Sequence, residues 1–402
     1  MVKKIKWLKN WYQDRLADPS NGETVFLVGY AMYLATAVWA TTMFPMSKMV
    51  QALCMLISLL CIAVKILLYG EYSMNSLLLL VGAGVMSAIG LYKNHYVYPL
   101  IWLVLIAGSY RVPLEKILKI YLLVVGSIVF LAFFASMWGV IENLQYKAGD
   151  RGIRNSFGII YPTDCGAHVF FWLLTFFYLK GKDLKKIHYL IGILAAWLVY
   201  DYCNARIDAG SILATTLLFG VGNFISGHSA CSRRIKRAWE RSWERLGCMV
   251  MPILAVISIA CTYFYNTGSS FWAKADGTLI ARLKLGKKAF EDYGLKLFGQ
   301  RIEMNGGGGT LNLKEEYFFL DCSYVNLLLT WGLVLFLTVM ALFFYSCRKN
   351  NKNLYFQYAV ALIAVNCVIA HHLMDVAYDP FVLAVAAGGI KKGYQFWGNH
   401  KV

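Results

Sequence analysis

The hydrophobic positions of this chain fall in long unbroken runs, unlike the alternation of a strand or the single stripe of a surface helix. Apolar runs cover about 25–43, 50–69, 75–90, 97–110, 119–138, 165–180, 188–203, 210–227, 248–266, 322–345, 355–371 and 379–390. About 20 consecutive apolar residues suffice for a helix to cross the ~30 Å hydrocarbon layer of a bilayer. The pattern predicts about twelve transmembrane helices, the third, fourth and last being short. Charged residues concentrate in the connections, the first 24 positions and one long segment at about 267–321. No internal repeat divides the chain, so residues 1–402 are expected to form a single integral membrane domain. The first run follows a polar segment and precedes further runs, so it reads as an anchor rather than a cleaved leader.

Composition agrees. Hydrophobic residues make up 59% and charged ones 15%, and the mean hydropathy is +0.53, which excludes a water-soluble domain of this length. The expected fold class is an all-α polytopic membrane protein. The formal charge of +17 then becomes a statement about topology, because Lys and Arg accumulate in cytoplasmic loops. Placing both termini in the cytoplasm assigns to that side the basic groups at Lys3–Arg15, Arg111–Lys119, Lys180–Lys186, Arg233–Arg245, Arg348–Lys352 and Lys391–Lys401. Lys65 sits near the inner end of its span, where its ammonium can snorkel. These runs are explained without nucleic acid.

The cations left outside are the informative ones. Lys274, Arg282, Lys284, Lys287, Lys288, Lys296, Arg301 and Lys314 all fall within 267–321, and Lys147, Arg151, Arg154 and Arg206 occupy two shorter outward loops. Single lysines there are ordinary loop residues. Guanidinium groups differ, since they stay charged and bind phosphate through a two-pronged fork. Arg151, Arg154, Arg206 and Arg282 converging at one membrane face would suit an anionic headgroup, a diphosphate above all. Within the long segment, Leu279, Leu283, Phe290, Tyr293 and Leu297 recur at helical spacing with a gap at Gly286. That predicts an amphipathic helix, either lying at the water–lipid boundary or capping the bundle. The run Asn305–Gly309 follows no strand and lacks the Lys-Ser/Thr ending of a phosphate loop, so it reads as a linker.

Missing motifs narrow the chemistry. There is no Asp-x-Asp, His-Glu-x-x-His, Gly-x-Ser-x-Gly or Cys-x-x-Cys, so neither a metal nor a nucleotide cofactor is expected. The 10 cysteines are scattered, mostly inside apolar runs, although Cys165, Cys203 and Cys322 lie near the outer face. Outer-face candidates for acid–base work are Asp164, Asp208, Asp321, His371, His372, Asp375 and Asp379. Asp321 opens an apolar run, where a carboxylate can equally cap a helix, and His371–His372 close another.

Four segments carry a resemblance. Arg-Asn-Ser-Phe-Gly (154–158) with Tyr-Pro following, Asn-Ala-Arg-Ile-Asp-Ala-Gly-Ser (204–211), the stretch 281–300 and Leu-Asp-Cys-Ser-Tyr-Val-Asn-Leu-Leu (320–328) are similar, in order and sidedness, to Wzy-type polysaccharide polymerases of the O-antigen polymerase and ligase superfamily. Thr163-Asp-Cys and Cys322 depart from that pattern, which touches the acceptor contacts more than the phosphate site. The resemblance implies a GT-C-like membrane fold in the cytoplasmic (inner) membrane of a bacterium, with its active site on the extracytoplasmic face. It implies a glycosyltransferase that polymerises undecaprenyl-diphosphate-linked repeat units of O-antigen, capsule or exopolysaccharide. Arg151, Arg154, Arg206 and Arg282 would hold the diphosphate, and Asp321 or His372 would act as base. Partners would be the lipid-linked donor and acceptor, the bilayer, a flippase and a chain-length regulator. A ligase from the same superfamily and a non-enzymatic lipid-linked oligosaccharide flippase are the alternatives.

Overall fold

The computed structural model describes residues 19–70, 72–147, 152–227, 232–279, 281–306 and 316–388. Its helices are α1 (Pro19–Trp39), α2 (Lys48–Tyr69), α3 (Met74–Asn94), α4 (Tyr98–Gly108), α5 (Leu114–Met137), α6 (Pro162–Lys180), α7 (Lys186–Tyr202) and α8 (Arg206–Gly227). They continue with α9 (Arg233–Leu246), α10 (Val250–Tyr263), α11 (Ser270–Leu279), α12 (Arg282–Tyr293), α13 (Ser323–Thr330), α14 (Leu333–Lys349) and α15 (Leu354–Asn366). A short hairpin pairs β1 (Gln145–Lys147) with β2 (Ile153–Asn155), setting Tyr146 opposite Arg154.

Five stretches are long and apolar enough to cross a membrane: Lys48–Tyr69, Ser76–Asn94, Leu114–Met137, Arg206–Gly227 and Arg233–Tyr263. Their flanks leave large apolar side chains uncovered, among them Leu56, Leu60 and Leu67 on α2 and Leu78 and Leu79 on α3. In water such faces would aggregate; against lipid they are the expected exterior. The chain is an all-α membrane protein.

The elements meet at two ends. At one, Met43 N–H donates to the Gly158 carbonyl at 2.8 Å, Ile160 N–H to Thr41 at 2.9 Å, and Asn94 Nδ2 to Phe298 at 2.9 Å. At the other, Lys116 pairs with Glu23, Lys65 Nζ donates to the Tyr110 carbonyl at 2.7 Å, and Trp239 of the basic helix α9 donates to Tyr358. Lys65 is thus buried on a carbonyl. We call these the site end and the basic end.

Two predicted spans take another form. The run 322–345 is broken: α13 is eight residues long, and the chain turns at Trp331–Gly332, with Gly332 at φ 92°. Both ends of α13 stay at the site end, since Ser323 Oγ donates to the Ala370 carbonyl and Gln300 N–H to the Thr330 carbonyl. Only α14 leads away. The run 379–390 contains no long helix among its described residues. It holds a six-residue 3₁₀ turn, Pro380–Val385, about 12 Å of rise. Backbone bonds carry the chain onward: Gly388 N–H donates to Val112 and Arg111 N–H to Ala386, at the basic end. Non-helical backbone at such depth requires burial in protein, and residues Val376–Ala384 are buried throughout.

The amphipathic segment seats on the bundle. Ala281, at φ 61°, separates α11 from α12, whose buried face is Leu283, Gly286 and Ala289. Gly286 is needed for contact, because a Cβ there would lie 2.5 Å from Thr262 Cγ2 of α10. The spacing gap read in the sequence is therefore the point of closest approach. Leu297 lies beyond α12 and is exposed. Of the glycine run, positions 307–309 lie outside the described residues.

Candidate functional site

Helix starts build the site. α6 opens with Pro162, whose missing N–H costs nothing at a helix start, and places Asp164 in its first turn, where carboxylates suit the helix dipole. α8 follows Asn204, held at φ 46°, and places Asp208 in its first turn. Gly166 lets the two starts touch: a Cβ there would meet the Asp208 and Ala205 Cβ atoms at 3.0 and 3.1 Å. Asp208 is buried, with Asn366 Nδ2 of α15 at 3.4 Å from its Oδ1. Asp164 lies within the field of Asp208, Asp321 and Asp375.

Two arginines reach this cluster from opposite sides. Arg154, on β2, donates from Nε to the Cys203 carbonyl at 3.2 Å and lies over the Tyr161 ring at 5.5 Å. Arg282 opens α12, whose first turn is tied by Asp276 Oδ1 accepting Leu283 N–H at 2.9 Å. It donates from Nε to the Ile369 carbonyl at 2.8 Å and sets Nη2 3.4 Å from Asp321 Oδ2. Asp208 stands between them: its helix starts just after Cys203, and its partner Asn366 accepts Ile369 N–H at 3.0 Å. Asp321 does not cap α13, whose N-cap is Cys322 with no side-chain capping bond.

The histidines divide two compartments. Residues 371–375 are not helical, and the His371 and His372 rings sit 4.3 Å apart. His372 is buried, with Nε2 3.9 Å from Asp164 Oδ1 and its ring stacked 3.9 Å from Tyr378. On the other face of Tyr378, His168 stacks at 4.1 Å and shares a 2.9 Å hydrogen bond with Thr41. Burial, then the neighbouring His371 and His168, hold the His372 imidazole well below its ordinary value, so it stays neutral. Desolvation by the surrounding protein likewise lowers His371 and, although Asp375 opens onto a cavity, raises its carboxyl, which Ala377 N–H partly offsets. His372 Nδ1 is buried without a hydrogen-bond partner among the described residues.

His371 and Asp375 line a cavity of about 710 Å³ beside the cluster. Tyr33, Tyr96, Tyr98, Trp102, Phe319 and Trp331 form much of its wall. Among the described residues no His, Cys, Asp and Glu side chains group to hold a metal. The described cysteines are free, Cys165, Cys203 and Cys322 among them.

Of the residues expected at the site, the structure brings together Arg154, Arg282, Asp321 and His372. Arg206 is exposed at the start of α8, about 200° around the helix from buried Asp208. Arg151 lies outside the described residues. Asp164 and Asp208, weighed but not singled out, stand at the centre. Their signal was an aspartate in the opening turn of an apolar helix, twice. Comparison with known protein families, curated proteins and solved structures finds no match to this chain.

Proposed function

We propose that this protein polymerises lipid-linked polysaccharide repeat units, in the manner of the Wzy-type enzymes its segments resemble. On this reading the chain passes the cytoplasmic membrane of a bacterium twelve times, eleven times as helices and last through the buried segment after Asp379. Both termini lie in the cytoplasm and the site end faces out. One observation carries the proposal: Arg154 and Arg282 come from separate segments, each steadied by an Nε bond to a carbonyl, one at Cys203 just before the start of α8 and the other at Ile369 just after α15, where Asn366 meets Asp208. That is a preorganised receptor for an anion.

The donor's diphosphate binds these guanidinium groups, which stabilise the charge growing on the leaving oxygen as the glycosyl bond breaks. A base removes the proton from the attacking hydroxyl of a second lipid-linked unit, and the growing glycan moves onto that unit. Asp321 and His372 are the candidates. Asp321 is paired with Arg282, so a diphosphate that takes over the guanidinium releases the carboxylate for this task. The departing diphosphate supplies the driving force, and no nucleotide enters.

A transport reading has one observation in its favour. Asp379 is fully buried, caps Phe381 N–H with Oδ1, and leaves Oδ2 without a partner among the described residues. Ionisable groups at such depth often mark transport paths. Deleting the gene separates the readings. Loss of a polymerase leaves single repeat units on mature acceptors, loss of a ligase leaves long glycan on its lipid, and loss of a flippase leaves none outside.

A further inference from the structure

We infer that the 710 Å³ cavity beside His371 and Asp375 is a carbohydrate-binding subsite that seats the acceptor's sugar. The inference deepens the polymerase reading and rests on it. The volume falls within the range of small-molecule sites, about 300–1,000 Å³. Trp331 is the hub of an aromatic wall: its ring centroid lies 4.9 Å from Trp102, 5.2 Å from Tyr96 and 6.1 Å from Tyr98. A sugar ring presents C–H groups on its faces, which suit the electron-rich face of an aromatic ring, and hydroxyls around its rim.

The polar lining answers the rim. Asp375 is open to the cavity, with Oδ1 accepting Ala377 N–H at 3.0 Å, and carboxylate oxygens have further lone pairs to accept hydroxyls. The hydroxyl-bearing rings of Tyr33 and Tyr98 line the same cavity. Ser323 and Asn326 line the floor, and exposed Arg301 and Glu303 pair at 3.8 Å near the mouth. A polyprenyl or acyl chain would fit the rings but would cover the open Asp375 carboxyl with groups that cannot hydrogen-bond to it, whereas Ser323 and Asn326 already hold partners within the protein. The segment 371–375 is shared: His371 faces the cavity, while His372 faces Asp164. A sugar in the cavity would thereby contact the residue next to the one that faces Asp164.

The test is photocrosslinking in cells that make the protein. Tyr98→p-benzoylphenylalanine places the reactive group in the cavity, and Leu190→p-benzoylphenylalanine places it on an exposed apolar face as control. After irradiation, digestion and mass measurement, Tyr98 peptides carry glycan and Leu190 peptides do not. Adding Asp375→Asn lowers the glycan-bearing yield at Tyr98 on the order of tenfold, as expected for a lost charge-assisted hydrogen bond. Tyr98 peptides carrying only polyprenyl or acyl chain, or no adduct while Leu190 captures lipid, overturn the subsite. If a deletion strain still polymerises but Tyr98 captures glycan, the polymerase reading fails and the subsite stands. Single repeat units in the deletion strain with only lipid at Tyr98 sink the subsite alone.

Discussion

Arg282 places its Nη2 3.4 Å from Asp321 Oδ2 while its Nε is fixed on the Ile369 carbonyl at 2.8 Å. One guanidinium thus joins α12, the segment before α13 and the loop leading to the histidines. If a donor diphosphate displaces Asp321 from this pair, the two residues are coupled in function. Arg282→Lys keeps the charge but loses the fork, and polymerisation should fall roughly ten- to a hundred-fold, the equivalent of about 1.5–3 kcal/mol. Asp321→Asn should be inactive with normal membrane levels. Because Asp321 does not cap α13, Asp321→Ala should cost little stability. Melting temperatures and polymerisation rates of the two singles and the double check this. Strictly additive rate losses would show that the pair does not act as a unit.

The two remaining candidate arginines in the described structure should behave differently from each other. Arg154→Lys gives up both the Nε bond to Cys203 and the geometry over Tyr161, so a loss of roughly ten- to a hundred-fold is expected. Arg206→Lys, on the exposed side of α8, should stay near wild type, as should Lys284→Ala on the outer face of α12. Polymer length and amount at matched protein levels decide it. Equal activity for Arg154→Lys and wild type would remove the anion-binding role.

Why these arginines part company was not legible in the sequence. Spacing placed Arg206 in an outward loop beside Arg154, but its direction is set by the left-handed turn at Asn204, which a hydrophobicity pattern does not register. The same blindness explains the span 322–345. The run is apolar throughout, and only the positive φ at Gly332 shows that it turns back. By contrast most helix positions and the seating of α12 follow from burial and periodicity, and those were readable. Asp164 and Asp208 gain meaning only when α6 and α8 meet at Gly166, a contact between distant segments.

Gly332 therefore offers a direct test of the broken span. A Cβ there would lie 2.2 Å from Gly299 N and 2.6 Å from the Leu297 carbonyl. Backbone strain at φ 92° for a non-glycine residue adds about 1–3 kcal/mol. Gly332→Ala should lower the melting temperature and the membrane level sharply. Gly82→Ala, in α3 with open space around its Cβ position, should be neutral or stabilising by up to about 1 kcal/mol. A Gly332→Ala protein as stable as wild type would mean that 322–345 is one continuous helix.

The pH dependence of stability tests the buried histidine. His372 is enclosed by Asp164 of α6, by His371, and by the stack of Tyr378 on His168. Its folded-state value lies well below the ordinary 6.5, so below pH 6.5 the unfolded chain takes up a proton that the folded protein refuses. Stability from this group is full above the unfolded value and falls with acid, by up to about 1.4 kcal/mol per pH unit. His371, also lowered, acts with the same sign. Asp375, raised above 3.8, acts oppositely, losing its contribution as pH rises through its folded value. The wild-type curve is a composite, so the difference between variant and wild type isolates His372. His372→Gln should flatten the decline in melting temperature between pH 7 and pH 5, while His371→Gln should flatten it less. If His372 is also the base, His372→Gln abolishes polymerisation at pH 7 while lipid-linked donor still binds, because the arginines are untouched. An acid-side decline as steep in His372→Gln as in wild type would show that the imidazole already takes up its proton in the folded protein.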